Sequence, residues 1–514
     1  MRFSEASSWL LTGLAAWLVF TFIAGIAFFD RELWGDEAIT LLAATGHLPA
    51  QVTAGVHDPA DLRALYTAVE AGPHDVWNTL STYDNHTPGY PVLISAGLWL
   101  TGAQTLDASW LRLANIAATA LFVFAAIPLA GRLGSRMHWL PLILIVLSPF
   151  AFYAARELRA YGLILVFTLW APLLCLRLKD GQTSPMLFLA MVLPLNLVGC
   201  ALHKLFLGVV AAEIAFLVFL AFSMPERRRQ YALVALAVAA VTLAGGAFIP
   251  NLLATAPVTS PVDTAWLLSA PSLGSLAEGF TRYLAYFLSW WMTPVNDPFA
   301  SAAGIAFVVA FVPVALFLLY AAIREAIRLR PSASSLLFVA VPLAFMMSIH
   351  VVMGVDLSRA PRFSVIWMPF AAIWLSARLQ HLPLRRLMLP WAALATVTSS
   401  ALVLTNLAHT SPDGTRGFVT VLPDSGPGKL IWLRNGTLQG KALLLALDSE
   451  LHRAGKLPEQ YEIVPVSDFT LPQTGNAPAQ IIVAGSRRQA DQISGVCANG
   501  RLFSHGEYTA CLLP

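Results

Sequence analysis

Trp34-Gly35-Asp36-Glu37-Ala38 places two adjacent carboxylates directly after an apolar run. A carboxylate so placed can take a proton from an attacking hydroxyl, which is general-base chemistry. The plainer alternative is a solvated loop beside an interfacial tryptophan. Farther on, Asp84-Asn85-His86-Thr87-Pro88 puts an imidazole in a turn-rich run, where it could serve a reaction or simply mark a membrane-entry turn. Positive charge then recurs at the edges of apolar segments, at Arg112, at Arg156 and Arg159 with Tyr161, at His203-Lys204, and at Arg359 and Arg362 within Ser-Arg-Ala-Pro-Arg-Phe. One at a time, these read as side chains snorkelling out of helix ends or as ion-pair partners for the acidic residues. Taken together they suit a bound anion such as phosphate, which guanidinium grips in two-pronged fashion and ammonium meets as a compact charge.

Composition says which elements must carry these residues. Of 514 residues, 57% are hydrophobic and 12% charged, about half the charged share of soluble domains. The chain is therefore an integral membrane protein, and disorder, a collagen-like repeat and a disulfide-rich mini-protein are excluded. A net charge of +3 gives no reason to expect nucleic acid. Hydropathy places about eleven spans of roughly 20 residues, near 8–29, 109–131, 137–153, 160–178, 184–200, 205–223, 230–251, 300–321, 335–352, 362–377 and 387–406. The first has no small-residue cleavage site after it and reads as a retained span rather than a signal peptide.

With a cytoplasmic N-terminus, Arg132, Arg136, Arg177, Lys179, Arg227, Arg228, Arg229, Arg324, Arg328, Arg330, Arg378, Arg385 and Arg386 all fall in inside loops, as the positive-inside rule requires. Two aromatic-rich apolar stretches broken by Gly or Pro, 88–104 and 282–294, then read as juxtamembrane segments at the outer interface. The first external loop, 30–108, holds nine carboxylates between Asp30 and Asp84 against Arg31 and Arg63 alone. Residues 1–407 form the membrane domain. Residues 408–514 change character, with strand-like GKLIWLRNG, YEIVPV and AQIIVAGS and helix-like KALLLALDSELHRAG, and read as a small external α/β domain. Cys497 and Cys511 are its only cysteines, and outside the cell a disulfide between them is expected. Cys175 and Cys200 read as inert packing residues.

These motifs, taken in order, resemble the GT-C membrane glycosyltransferases. The match is a DE pair after the first span, an H-x-P turn about 50 residues on, Leu111-Arg112-Leu113 at the next span, and Ser148-Pro149 followed by R-x-x-R-x-Y from Arg156 to Tyr161. The bacterial branch akin to protein O-mannosyltransferases and the lipid A aminoarabinose transferase is the most similar, over roughly residues 1–250 and more weakly over 335–377. The resemblance implies a polyprenyl-phosphate sugar donor and a lipid, glycan or protein hydroxyl acceptor on the periplasmic face of a bacterial inner membrane. It puts Asp36 on the family's catalytic carboxylate, Glu37 on its neighbour, and Arg112 on an arginine facing the lipid phosphate. His86 stands where the aminoarabinose transferase has a lysine, and Asn85 replaces the preceding glutamate, which speaks against a metal site built there. A divalent metal elsewhere stays compatible with the sequence. Cations would hold the departing phosphate while one carboxylate takes the acceptor proton. Double displacement needs two carboxylates about 5 Å apart facing the sugar, so adjacent Asp36 and Glu37 favour direct displacement with inversion. A transporter or lipid flippase, an O-antigen ligase or polymerase, and a scaffold acting through the C-terminal domain are the competing classes. The first would ordinarily show internal repeats and mid-membrane charge, and here Glu213 is the main carboxylate deep in a span.

Overall fold

The computed structural model describes residues 3–29, 31–47, 49–83, 87–135, 148–252, 267–289, 334–379, 414–423, 428–434, 438–465, 480–484, 501–505 and 507–513, with a few single positions besides. The chain forms two compact units. One comprises Met1–Phe29, Arg112–Leu253 and Trp266–His409, and the other Asp30–Leu111, Ala254–Ala265 and Thr410–Pro514.

The first unit is helical. Counting the segment Ala108–Arg132, which begins in the other unit, seven helices among the described residues are long and apolar enough to cross a membrane: Trp9–Ala27, Ala108–Arg132, Tyr161–Lys179, Pro185–Leu202, Lys204–Ser223, Pro225–Gly246 and Ser334–Met353. Each lies where hydropathy expects a span. The expected spans 300–321 and 387–406, and most of 137–153, fall outside the described residues. Over 362–377 the backbone is instead a 3-10 turn, Pro361–Ile366, followed by the helix Met368–Leu379. Trp367 breaks between them at φ −137° and ψ −35°. Pro369 supplies no N–H to a preceding turn, so the helix has to restart there.

Ser-Pro pairs set two helix starts. Ser148 Oγ accepts from Ala151 N at 3.4 Å and Ser184 Oγ from Leu187 N at 3.3 Å, each with proline at the first helical position. This is the N-cap and N1 preference acting together. The alternating chain direction gathers Arg112, Tyr161 and His203 at one set of helix ends. At the other ends Arg132 pairs with Asp180 and Gln182, and Arg378 Nη2 donates to Leu133 O at 2.6 Å.

The second unit is built on a six-stranded sheet with strand order β1-β3-β2-β4-β6-β5: β1 Gly55–His57, β2 Lys429–Arg434, β3 Gln460–Pro465, β4 Gln480–Ala484, β5 Arg501–His505 and β6 Tyr508–Leu513. β2 pairs in parallel with β3 and β4, and both flanks are antiparallel. Leu430, Ile431, Trp432 and Leu433 are all buried, because a central parallel strand is covered on both faces. One face packs Ile431, Leu433 and Ile482 with Ile493, Cys497 and Cys511. Cys497 and Cys511 are disulfide-bonded, Cα–Cα 5.6 Å. Against β2 lies the helix Leu438–Arg453, which also packs on the first-loop helices Gly35–Ala44 and Pro59–Thr67.

The first loop thus belongs to the same unit as the C-terminal segment. It contributes strand β1, the register Val56↔Glu462, and a buried polar junction. There Asp448 accepts from the Tyr66 phenol at 2.7 Å and the Tyr461 phenol at 2.8 Å, with Arg63 Nε at 3.7 Å. Burial pushes the Asp448 carboxyl above the usual range, and burial together with that carboxylate raises both phenols well above theirs. Arg416 N donates to Glu32 at 2.6 Å, a second tie of the same kind.

Candidate functional site

Asp36 and Glu37 open the helix Gly35–Ala44 instead of lying in a loop. The first turn of a helix, with its unpaired N–H groups, favours negative charge. Successive helical residues point about 100° apart. Glu37 is buried and Asp36 half-buried, while Thr40 Oγ1 accommodates the turn by donating to Asp36 O at 3.0 Å. The pair is therefore divided between two directions, and no double use of it on one sugar follows from its position.

Arg112, Arg156, Arg159, Tyr161, His203, Lys204, Arg359 and Arg362 lie in the helical unit. The Arg112 guanidinium is buried and donates from Nε to Arg156 O at 3.1 Å. Arg156, at the end of the helix Pro149–Arg156, sets its own guanidinium 4.9 Å from the centre of the Tyr153 ring. The Tyr153 phenol bonds to the Glu157 carboxylate and is within electrostatic reach of Arg362 and Tyr161. Tyr161 packs its ring 5.5 Å from that of His203 and 6.4 Å from that of Phe363, and His203 and Phe363 are 6.2 Å apart. Arg362 rests 5.5 Å from the Phe363 ring. His203 ends one helix in extended conformation, its Nδ1 accepts from Leu205 N at 3.2 Å, and Lys204 starts the next turn. Arg112, Arg156, Tyr161, His203 and Arg362 are accordingly joined through direct or shared partners.

Arg359 stands in a neighbouring group of the same unit. Its Nε is 3.4 Å from Asp356, which also receives Arg282 Nη1 at 3.1 Å and the Ser358 backbone N–H at 3.1 Å, with His350 Nδ1 3.8 Å away. Arg159 sits on the bend between Arg156 and Tyr161, half-buried. His86 lies outside the described residues.

Sequence reasoning passed over Asn115, Tyr153, Glu157, Arg282 and Asp356. Glu157 was in plain view inside R-E-L-R, yet nothing in its spacing shows that it is buried and bonded to the Tyr153 phenol. Arg282 is a lone charge at the start of an aromatic apolar run, and Asp356 a lone carboxylate after Gly354; only the fold pairs them. Arg112, Arg156 and Arg362 bring three guanidiniums into the first cluster, residue types that suit an anion. Among the described residues no three His, Cys, Asp or Glu side chains gather as metal ligands.

No protein-family model and no curated protein matches this chain. Solved structures do. ArnT from Cupriavidus metallidurans in the apo state superimposes with a TM-score of 0.52 at 13% identity, over 99% of this chain and 98% of that one. The same protein bound to undecaprenyl phosphate gives 0.50 at 12% identity, over 100% and 98%. The chain has an ArnT-like fold, the GT-C type that its motif order resembles, with apolar membrane helices and a small C-terminal sheet.

Proposed function

We propose that this protein is a membrane glycosyltransferase that moves a sugar from a polyprenyl-phosphate donor to an acceptor hydroxyl at the periplasmic face of a bacterial inner membrane. The observation that carries the reading is the cation-rich cluster of Arg112, Arg156, Tyr161, His203 and Arg362 at one set of helix ends, in a fold shared along its whole length with a protein that binds undecaprenyl phosphate.

In this reading the cluster, with Arg159, Lys204, Arg359 and His86 as further contributors, holds the donor phosphate and neutralises the charge that grows on it as the glycosidic bond breaks. Asp36 accepts the proton of the acceptor hydroxyl. The acceptor oxygen then bonds to the anomeric carbon from the face opposite the phosphate, the carbon–oxygen bond to phosphate breaks, and its electron pair leaves with the polyprenyl phosphate. One displacement gives inversion. Glu37 orients the acceptor or pairs with a cation.

The test uses purified protein, a panel of polyprenyl-phosphate sugars and the Asp36→Asn variant. Asn keeps the size and removes the proton acceptor, so turnover should fall about 100- to 10,000-fold with donor binding retained. Near-parental transfer by that variant would defeat the assignment of the base, and absence of transfer from every polyprenyl-linked donor would defeat the activity.

A further inference from the structure

The helix Ala108–Thr119 carries Arg112, Asn115 and Thr119 at i, i+3 and i+7, one helical stripe. That stripe meets the corner between the helices Pro149–Arg156 and Tyr161–Lys179. A helix end leaves carbonyls without intrahelical donors, and this one turns at Glu157 into extended backbone, φ −71° and ψ 132°, with no glycine to close it. Buried carbonyls need donors from somewhere. Asn115 Nδ2 supplies two, to Ala155 O at 2.9 Å and Glu157 O at 2.8 Å, and Arg112 Nε supplies the one between, to Arg156 O at 3.1 Å. Three successive carbonyls are thus met by two side chains of one helix face. Thr119 Oγ1 donates to Asn115 O at 2.7 Å, and a Cβ on Gly162 would come within 2.0 Å of that same Oγ1, so the helices meet without room to slide.

We infer that Asn115 is a positioning residue for the donor phosphate, fixing the corner that presents Arg156, Arg159 and Tyr161 and the carbonyl that orients Arg112. This rests on the donor reading above. A carboxamide in an apolar span is costly unless both of its N–H groups are used, and here they are used on the corner that carries Arg156 and Arg159. Both Nδ2 contacts of Asn115 are to backbone carbonyls, so the effect inferred on the donor passes through its neighbours.

The experiment measures undecaprenyl phosphate binding to the full-length protein in nanodiscs, for the parent, Asn115→Leu and Asn115→Ser. Leucine keeps the shape and removes both donors; serine keeps one hydroxyl donor. Loss of two hydrogen bonds at the corner should raise the Kd about 10- to 100-fold in the leucine variant and by a smaller factor in the serine variant. Donor KM should rise more than kcat falls, and hydrogen exchange should quicken at the amides of 157–161. A lower melting temperature with an unchanged Kd in the folded fraction would make Asn115 merely structural and overturn the inference. If Asn115→Leu does not fold, a parental Kd in Asn115→Ser overturns it equally. A parent that fails to bind undecaprenyl phosphate defeats the donor reading and takes the inference with it, which separates the two failures.

Discussion

Asp448→Ala strikes the junction that ties the first loop to the C-terminal segment. Asp448 is fully buried and receives the Tyr66 and Tyr461 phenols, themselves 4% and 0% exposed. Removing the carboxylate strands two hydroxyls that water cannot reach, at about 1–3 kcal/mol each, or about 2–6 kcal/mol in all. Arg63 adds to the cost, because its Nε and Nη2 are buried although the side chain as a whole is 22% exposed, and the variant removes their nearest carboxylate. Asp448→Asn retains a carbonyl for one phenol and should cost about half as much. Thermal melting followed by near-ultraviolet circular dichroism reads both variants, and limited proteolysis in the first loop should accelerate in the alanine variant. The pH dependence has a definite sign. Burial raises the native carboxyl above its unfolded value, so between those two values the native state binds more protons, and stability falls as pH rises through that window before levelling. Asp448→Asn should flatten this slope, leaving the share contributed by Glu450, which burial raises in the same direction. An alanine variant that melts with the parent, at every pH, would refute the argument.

Arg112→Ala should weaken undecaprenyl phosphate binding by about 2–5 kcal/mol if the phosphate is buried against it, and unchanged binding by calorimetry would remove Arg112 from the site. A reporter fused after Arg228 should read cytoplasmic and one after Gly414 external, and the reverse result for the second would invert the orientation taken from the arginines. Replacing Cys497 and Cys511 by serine opens a loop with a sequence separation of 14 and should cost up to about 3 kcal/mol in the chain-entropy model, visible as a lower melting temperature in non-reducing buffer only.

The apolar helices were legible because a span repeats one signal over about 20 residues, enough to outweigh any single side chain. The same holds for β2, β3, β4 and the helix Leu438–Arg453, whose runs are long and apolar. β1 was not legible: Gly-Val-His is three residues long, two of them exposed, and becomes a strand only because β3 offers its edge. The hairpin of β5 and β6 likewise gave too short an apolar pattern to stand out from its loop. At the site, residue types at helix ends identified Arg112, Arg156, Tyr161, His203 and Arg362 as possible partners, but not their contacts. The worth of Asn115 lies in carbonyls 40 residues away. Lone residues whose partners are distant in sequence carry no local signature.

The pairing of β1 with β3 also sets a clock. Translation proceeds at about 5–20 residues per second, so the roughly 400 residues that separate His57 from Gln460 take about 20–80 s to make. Throughout that time the segment with Asp36 and Glu37 lacks the strand, the buried carboxylate and the helix against which it folds. The carboxylate pair is consequently made long before the strand and helix that complete its surroundings, and acquires them late.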